Sequence, residues 1–393
     1  MASTDQPIAD RRDWPVIVIG GGPSGLASSQ QLKQRGIEHV VLERGEQVGA
    51  TWRQLYDSLR LHSGRHLSVL PGMAFPRSVP LFPSRRDVID YLERYAAHFA
   101  LPVRTGIDVT AITREGDSWR VATTAGPFTA AALIVATGIV ASPRVPEFPG
   151  QELFGGRLLH SSAYHRPGDV SGQKVLVVGV GNSGGEIAAE LAKAGRDVDV
   201  AVRSGANVVP LTLFGVPIQY LGYVLLKLPK PLRDGIAEIV RRGIELRRGP
   251  SPLPRPAFGP LDEIPIIGFN LVDAIKGGRI KVRPGIARLE ADGVVFTDGT
   301  RSGYDAILLA TGYQAAIEPL GPLARRDHHG NALRRDRIAS ADQPALFFVG
   351  HNHDTSGGIN NIARDARLAA EAVAGVLAAG EGSRFDQQAI AVK

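Results

Sequence analysis

One signature occurs twice in this chain, and that repetition restricts the fold more than any other feature. Val16-Ile17-Val18-Ile19 runs into Gly20-Gly21-Gly22-Pro23-Ser24-Gly25, and Val175-Leu176-Val177-Val178 runs into Gly179-Val180-Gly181-Asn182-Ser183-Gly184. Each copy reads as a buried strand, a Gly-x-Gly-x-x-Gly turn and a helix. The first glycine permits the tight turn, the second lets a pyrophosphate approach the backbone, and the third packs helix on strand. The helix N-terminus adds free N–H groups and a positive dipole end. The helices are predicted to stop at Gly36 and Gly195 in left-handed caps. With 46 glycines in the chain a lone match would carry little weight, but flanking strands and helices at both copies make the pair specific.

The copies differ where the second strand ends. Val40-Val41-Leu42 ends in Glu43, followed by Arg44, and the Glu43 carboxylate can accept hydrogen bonds from ribose hydroxyls. Val198-Asp199-Val200-Ala201-Val202 continues instead into Arg203-Ser204, a pair suited to a ribose 2′-phosphate that a carboxylate would repel. The first site is therefore expected to hold FAD and the second NADPH, with hydride passing between them.

Composition narrows the chemistry. At 393 residues, 44% hydrophobic and 21% charged, the chain has the makeup of a globular enzyme of two or three domains. Its net charge of +6 is scattered without aromatic–basic interleaving, which argues against a nucleic-acid partner. A polar N-terminus, and apolar runs broken at Pro217, Gly222 and Lys227, predict a cytoplasmic protein with no stable membrane insertion. There is no cysteine, so a dithiol relay is impossible. His351-x-His353-Asp354 reads as a hydrogen-bonding cluster, and no metal set is assigned. Nothing in the sequence sets an oligomeric state.

The implied architecture is α/β, with two Rossmann-like dinucleotide-binding domains. An FAD domain at residues 1–165 and 305–393 is interrupted by an NADP(H) domain at 166–304. Residues 48–83 form an irregular, cofactor-lining excursion, and Ser84 caps a helix carrying Val88, Leu92, Tyr95 and Phe99 at helical spacing. Strands are predicted at 119–123, 128–130 and 133–136. Leu133-Ile134-Val135-Ala136-Thr137-Gly138 returns as Ile307-Leu308-Leu309-Ala310-Thr311-Gly312, the second time after a hairpin at Asp298-Gly299. The stretch from Leu346 to Gly350 leads to Ser356-Gly357-Gly358 and a helix through Ile362, Ala366 and Ala369, whose N-terminus suits the polar edge of a flavin. Leu211–Leu228, with Phe214, Tyr220 and Tyr223, reads either as a core helix or as substrate-pocket lining.

Between the two units lies Phe154-x-Gly156-x-x-x-His160-x-x-x-Tyr164. With the flanking motifs it resembles the fingerprint of class B flavin-dependent monooxygenases, over nearly the whole chain. Gly49-Ala50-Thr51-Trp52 and Asp305 to Tyr313 are similar to further motifs of that family. Tyr56-Asp57-Ser58-Leu59-Arg60-Leu61-His62, Phe82-Pro83-Ser84, Val202-Arg203-Ser204 and Ile280 to Ile286 most resemble the plant auxin-forming, YUCCA-type branch, which decarboxylates indole-3-pyruvate oxidatively. The segments Gly350–Gly358 and Pro250–Pro260 depart from that branch.

The resemblance implies an enzyme using NADPH, FAD and O2 on a small molecule through a flavin C4a-(hydro)peroxide, with His160 and Tyr164 as fingerprint candidates at the site. His160 would help the second unit dock. An N- or S-oxygenating monooxygenase, and a flavin reductase without oxygen insertion, are the alternatives. Cofactor contacts are expected from Gly20, Gly22, Pro23, Ser24, Gly25, Glu43, Arg44, Thr51 and Trp52 at the first site. At the second they are expected from Gly179, Gly181, Asn182, Ser183, Gly184, Arg203, Ser204, Ala310, Thr311 and Gly312.

Overall fold

The computed structural model describes residues 11–391 except 260, 353, 355 and 356, with side chains described through residue 379. Residues 1–10, Pro260, His353 and Ser356, all part of the sequence reading, lie outside the described residues.

Alternation along Asp13–Ile19 builds the first core. Val16 and Val18 point to one face of the sheet, Ile17 and Ile19 to the other, and all four are buried. Val16 and Val18 pack with Leu26, Tyr91, Tyr95, Ala366 and Val373. Ile17 and Ile19 pack with Trp119, Phe128 and Ile317. The sheet runs in the order Val103–Arg104, His39–Leu42, Asp13–Ile19, Phe128–Val135, Ser118–Thr123, Val109–Glu115, and Leu346–Phe348 also pairs with Phe128–Val135.

The strands predicted separately at 128–130 and 133–136 are one strand, Phe128–Val135. Its first half pairs antiparallel with Ser118–Thr123 and its second half parallel with Leu346–Phe348. Burial accordingly changes from alternating to continuous along the strand. A sequence window sees that change of partner as a break.

The second sheet is parallel throughout, in the order Ile280–Arg283, Asp197–Ala201, Lys174–Val178, Ala306–Leu309, Arg157–His160. Two of its strands fall outside the expected 166–304 span, because sheet membership follows pairing and not adjacency to the glycine turn. An antiparallel meander, Ile286–Glu290, Gly293–Phe296 and Arg301–Gly303, covers one face through Val294, Phe296 and Tyr304. The chain passes between the sheets through Ser142–Pro143 and Tyr313–Gln314, which pair antiparallel with each other. Between Asp197–Ala201 and Ile280–Arg283 it leaves the sheet to form two cap helices, Ile218–Leu225 and Lys230–Arg248.

Local signals hold where side chains decide them. Gly36 (φ 70°) and Gly195 (φ 87°) follow the two glycine-turn helices in the left-handed region. Ser84 caps the helix Arg85–His98 in a full capping box with Asp87. Among the described residues no helix is long and apolar enough to cross a membrane. Ser84→Ala removes the acceptor that Asp87 N–H reaches at 3.2 Å. The variant should lose about 1 kcal/mol, read as a lower urea midpoint at unchanged slope; an unchanged midpoint would contradict the cap's role.

Candidate active site

The two turns share their geometry. Gly20 (φ 107°) lies against the Ala136 carbonyl, where an added Cβ would sit 2.7 Å from the oxygen. Gly179 (φ 96°) lies against the Ala310 carbonyl in the same way, at 2.6 Å. A Cβ on Gly25 or Gly184 would run into the carbonyl of Gly20 or Gly179 respectively. The first and third glycines are thus required by the polypeptide itself.

The middle glycines are not. Gly22 has φ −82° and Gly181 φ −67°, ordinary for any residue, and a Cβ at either meets no protein atom within 4 Å. Each opens at a helix start whose first N–H groups have no intrahelical partners. That space suits a dinucleotide pyrophosphate at both turns, so the residues present fit both groups.

Glu43 is buried, and its carboxylate accepts from Gly21 N–H (2.5 Å) and Gly45 N–H (2.7 Å). Two backbone donors fix the side chain while leaving lone pairs for a ribose. At the second site Arg203 and Ser204 are exposed beyond the end of Asp197–Ala201. The acid of that strand, Asp199, is turned away from the strand end. It is buried and accepts from Arg283 Nε (2.7 Å) and the Tyr304 hydroxyl (2.6 Å).

Both units open on one cavity of about 1030 Å³. Gly20, Gly22, Pro23, Ser24, Glu43, Arg44, Thr51 and Trp52 line it from the first unit, and Asn182 and Ser183 from the second. Gly25, Gly179, Gly181, Gly184, Arg203 and Ser204 lie outside the lining. So do Ala310, Thr311 and Gly312: Ala310 backs the second turn, and Thr311 donates to the Arg144 carbonyl at 2.5 Å. The earlier Ala136-Thr137-Gly138 does line the cavity. Pro250, Leu253 and Pro256 also line it, as do Gly350, Asn352 and Gly358.

The aromatic residues of the Leu211–Leu228 stretch lie outside the cavity lining. Phe214 is 85% exposed, Tyr223 is 37% exposed, and the Tyr220 hydroxyl bonds His66 Nδ1 at 2.9 Å. The opposite face of that helix, Ile218, Leu221 and Leu225, forms the lining with Val240 and Ile244 of the second cap helix. Apolar residues occupy both faces of Ile218–Leu225, so composition alone does not say which face lines the cavity.

The fingerprint residues are structural clasps outside the lining. Ser162 N–H donates to His160 Nδ1 at 3.1 Å, so Nε2 carries the proton and donates to the Gly312 carbonyl at 3.1 Å. Burial holds that imidazole below its usual range, opposed by the Gly312 contact. Tyr164 is fully buried and donates to Glu190 at 2.7 Å, and burial and that carboxylate push its phenol up.

Sequence reasoning missed Gln219 and Glu186. Gln219 is buried in the first cap helix and its Oε1 accepts from Gly64 N–H at 3.0 Å, tying the cap to the excursion. Glu186, on the helix of the second turn, bonds both Tyr56 and His62. Inside a helix each looks like any polar position.

Two dinucleotide turns opening on a common apolar cavity define a nucleotide-dependent oxidoreductase of the two-Rossmann type. The comparisons narrow this. The family described as pyridine nucleotide-disulphide oxidoreductase matches residues 17–209. An indole-3-pyruvate monooxygenase (YUCCA1) of Oryza sativa subsp. japonica is 34% identical, over 92% of this chain and 94% of its own. A probable indole-3-pyruvate monooxygenase (YUCCA1) of Arabidopsis thaliana is 36% identical, over 77% and 76%. Among solved structures, a flavin-containing monooxygenase from Stenotrophomonas maltophilia matches at TM-score 0.74 and 27% identity, over 92% and 98%. Cyclohexanone monooxygenase from Rhodococcus sp. Phi1, at TM-score 0.68 and 18% identity over 93% and 85%, shares the fold. The chain belongs to the flavin-dependent monooxygenase family, in its YUCCA-type branch.

Two outcomes are expected. Gly22→Val creates no clash within the protein, so it should fold normally yet be isolated colourless; a yellow variant would show that the middle glycine does not face the cofactor. His351 is buried, with neither ring nitrogen hydrogen-bonded among the described residues, and burial followed by the Arg334 charge pushes it down to about 3. The unfolded chain then binds the proton first, so stability falls as pH drops from the ordinary 6.5 towards 3, by up to about 1.4 kcal/mol per unit. His351→Leu should flatten that acid limb in urea titrations, and a limb as steep as wild type would contradict it.

Proposed function

We propose that the chain is an NADPH- and O2-dependent FAD monooxygenase of a small, largely apolar organic substrate, with indole-3-pyruvate as the first candidate. The observation that carries this reading is the pair of helix starts, Gly22-Pro23-Ser24 after the first turn and Asn182-Ser183 after the second, that line a single cavity with an apolar roof. FAD, when bound, supplies the hydride acceptor and the oxygen-activating centre. One atom of O2 goes to the substrate, the other leaves as water, and NADPH provides the electrons.

The protein's own work is placement and exclusion. The helix start at Gly22, Pro23 and Ser24 holds the FAD pyrophosphate, and Glu43 accepts from its ribose. Gly181, Asn182 and Ser183 do the same for NADPH, with Arg203 and Ser204 at the 2′-phosphate. Asn182 is itself anchored, accepting from Ile267 N–H (2.8 Å) and donating to the Pro265 carbonyl (3.1 Å). Ile218, Leu221, Leu225, Val240 and Ile244 roof the cavity, excluding water and accommodating an aryl group. His160 and Tyr164 hold the second unit in place from behind. The domains are proposed to divide near residues 156 and 310, where sheet membership changes.

A dithiol reductase, the activity for which the matched nucleotide-binding family is described, needs paired thiols, and this chain has no cysteine. Incubation with NADPH, 18O2 and indole-3-pyruvate should give indole-3-acetate carrying one 18O atom. NADPH oxidation that puts no label into this or any sulfide or amine tested would overturn the reading in favour of a reductase. Arg203→Ala should raise the KM for NADPH by about tenfold, the equivalent of 1.4 kcal/mol, and leave that for NADH unchanged; equal effects on both would remove Arg203 from the 2′-phosphate site.

A further inference from the structure

Glu186 lies in the first turns of the helix that begins at the second glycine turn. Both of its carboxylate oxygens are taken by the excursion from the first unit: the Tyr56 hydroxyl donates to Oε2, and His62 Nε2 bonds Oε1. Tyr56 and His62 line the cavity, whereas Glu186 stands behind them. Burial, and then the Glu186 charge, push the Tyr56 phenol far up, so it remains a donor. A carboxylate has no proton to give, so the hydrogen in the second bond belongs to His62 Nε2. That leaves Nδ1 as the ring nitrogen with no protein partner among the described residues.

We propose that Glu186 is a positioning residue that locks His62 in its Nε2–H form and makes Nδ1 the proton-holding atom of the cavity. The proposal rests on the monooxygenase reading, in which each turnover consumes one proton from solvent together with NADPH, O2 and substrate, and releases water. Nδ1 takes up that proton and returns it on the cavity side, and the imidazolium charge carried meanwhile is offset by Glu186. The arrangement parallels any carboxylate that fixes an imidazole through one nitrogen so that the other can act. The second unit provides the carboxylate and the first provides the ring, so the pair exists only while helix Asn182–Lys193 is seated on the excursion.

The test uses FAD-loaded wild-type protein with Glu186→Ala, Glu186→Gln and His62→Asn. A downfield imidazole N–H proton, assigned by its loss in His62→Asn, should be present in wild type and lost to exchange in Glu186→Ala. Substrate oxygenation by Glu186→Ala and Glu186→Gln should fall about tenfold or more in kcat, with the KM for NADPH within about twofold of wild type. The kcat–pH profile of Glu186→Ala should take the form of the His62→Asn profile. If the N–H proton persists in Glu186→Ala, or if that variant keeps the wild-type pH profile while His62→Asn changes it, the proposal is overturned. Glu186→Gln preserves side-chain volume and separates lost charge from lost packing; wild-type kcat in a flavin-loaded Glu186→Gln would likewise overturn it. Failure of the monooxygenase reading appears separately, as wild-type protein that incorporates no 18O, and the N–H resonance then still decides whether Glu186 orients the ring.

Discussion

The molecule depends on one kind of contact made twice: a glycine turn pressed against a main-chain carbonyl at the end of a strand far along the chain. Gly20 meets Ala136 and Gly179 meets Ala310 with no side chain able to intervene. Each contact fixes where its turn lies and which way its helix points, and therefore what faces the cavity. Parallel strands are joined only by long crossovers, so neither turn is complete until a distant strand has taken its place in the sheet. The nucleotide sites are products of sheet assembly, although their signature is local.

The cavity joins parts of different character. Its floor comes from the first turn and from Ala136-Thr137-Gly138, and its roof from two cap helices that belong to neither sheet. The segments around Pro250 and Gly350 lie on its wall.

Features written in a few adjacent residues were legible in the sequence. Both turns, both glycine caps, the Ser84 cap and the burial of the flanking strands belong to that group, because steric and hydrogen-bonding rules act over short range. Sheet membership did not belong to it. Arg157–His160 and Ala306–Leu309 are short runs whose sheet is decided by what they pair with, so the boundaries at 166 and 304 did not anticipate them. The facing of Ile218–Leu225 was hidden because a helix apolar on both sides has no readable direction. Ala310-Thr311-Gly312 repeats Ala136-Thr137-Gly138 in sequence and not in setting: the earlier copy lines the cavity, and Ala310 backs the second turn. Glu186 was invisible because its meaning lies in Tyr56 and His62, more than a hundred residues earlier.

The chain enters and leaves the second sheet through a single ribbon, where Ser142–Pro143 lies beside Tyr313–Gln314. Entrance and exit of the inserted unit are therefore neighbours in space, and the ends left by removing it would already be adjacent. In evolutionary terms such a unit is a cassette: it can be gained, lost or exchanged between proteins at the cost of rejoining two nearby ends. The same ribbon is flanked by Gly138 (φ 77°) and Gly312 (φ 83°), so an exchanged unit would inherit its orientation from two backbone bends that only glycine adopts without strain.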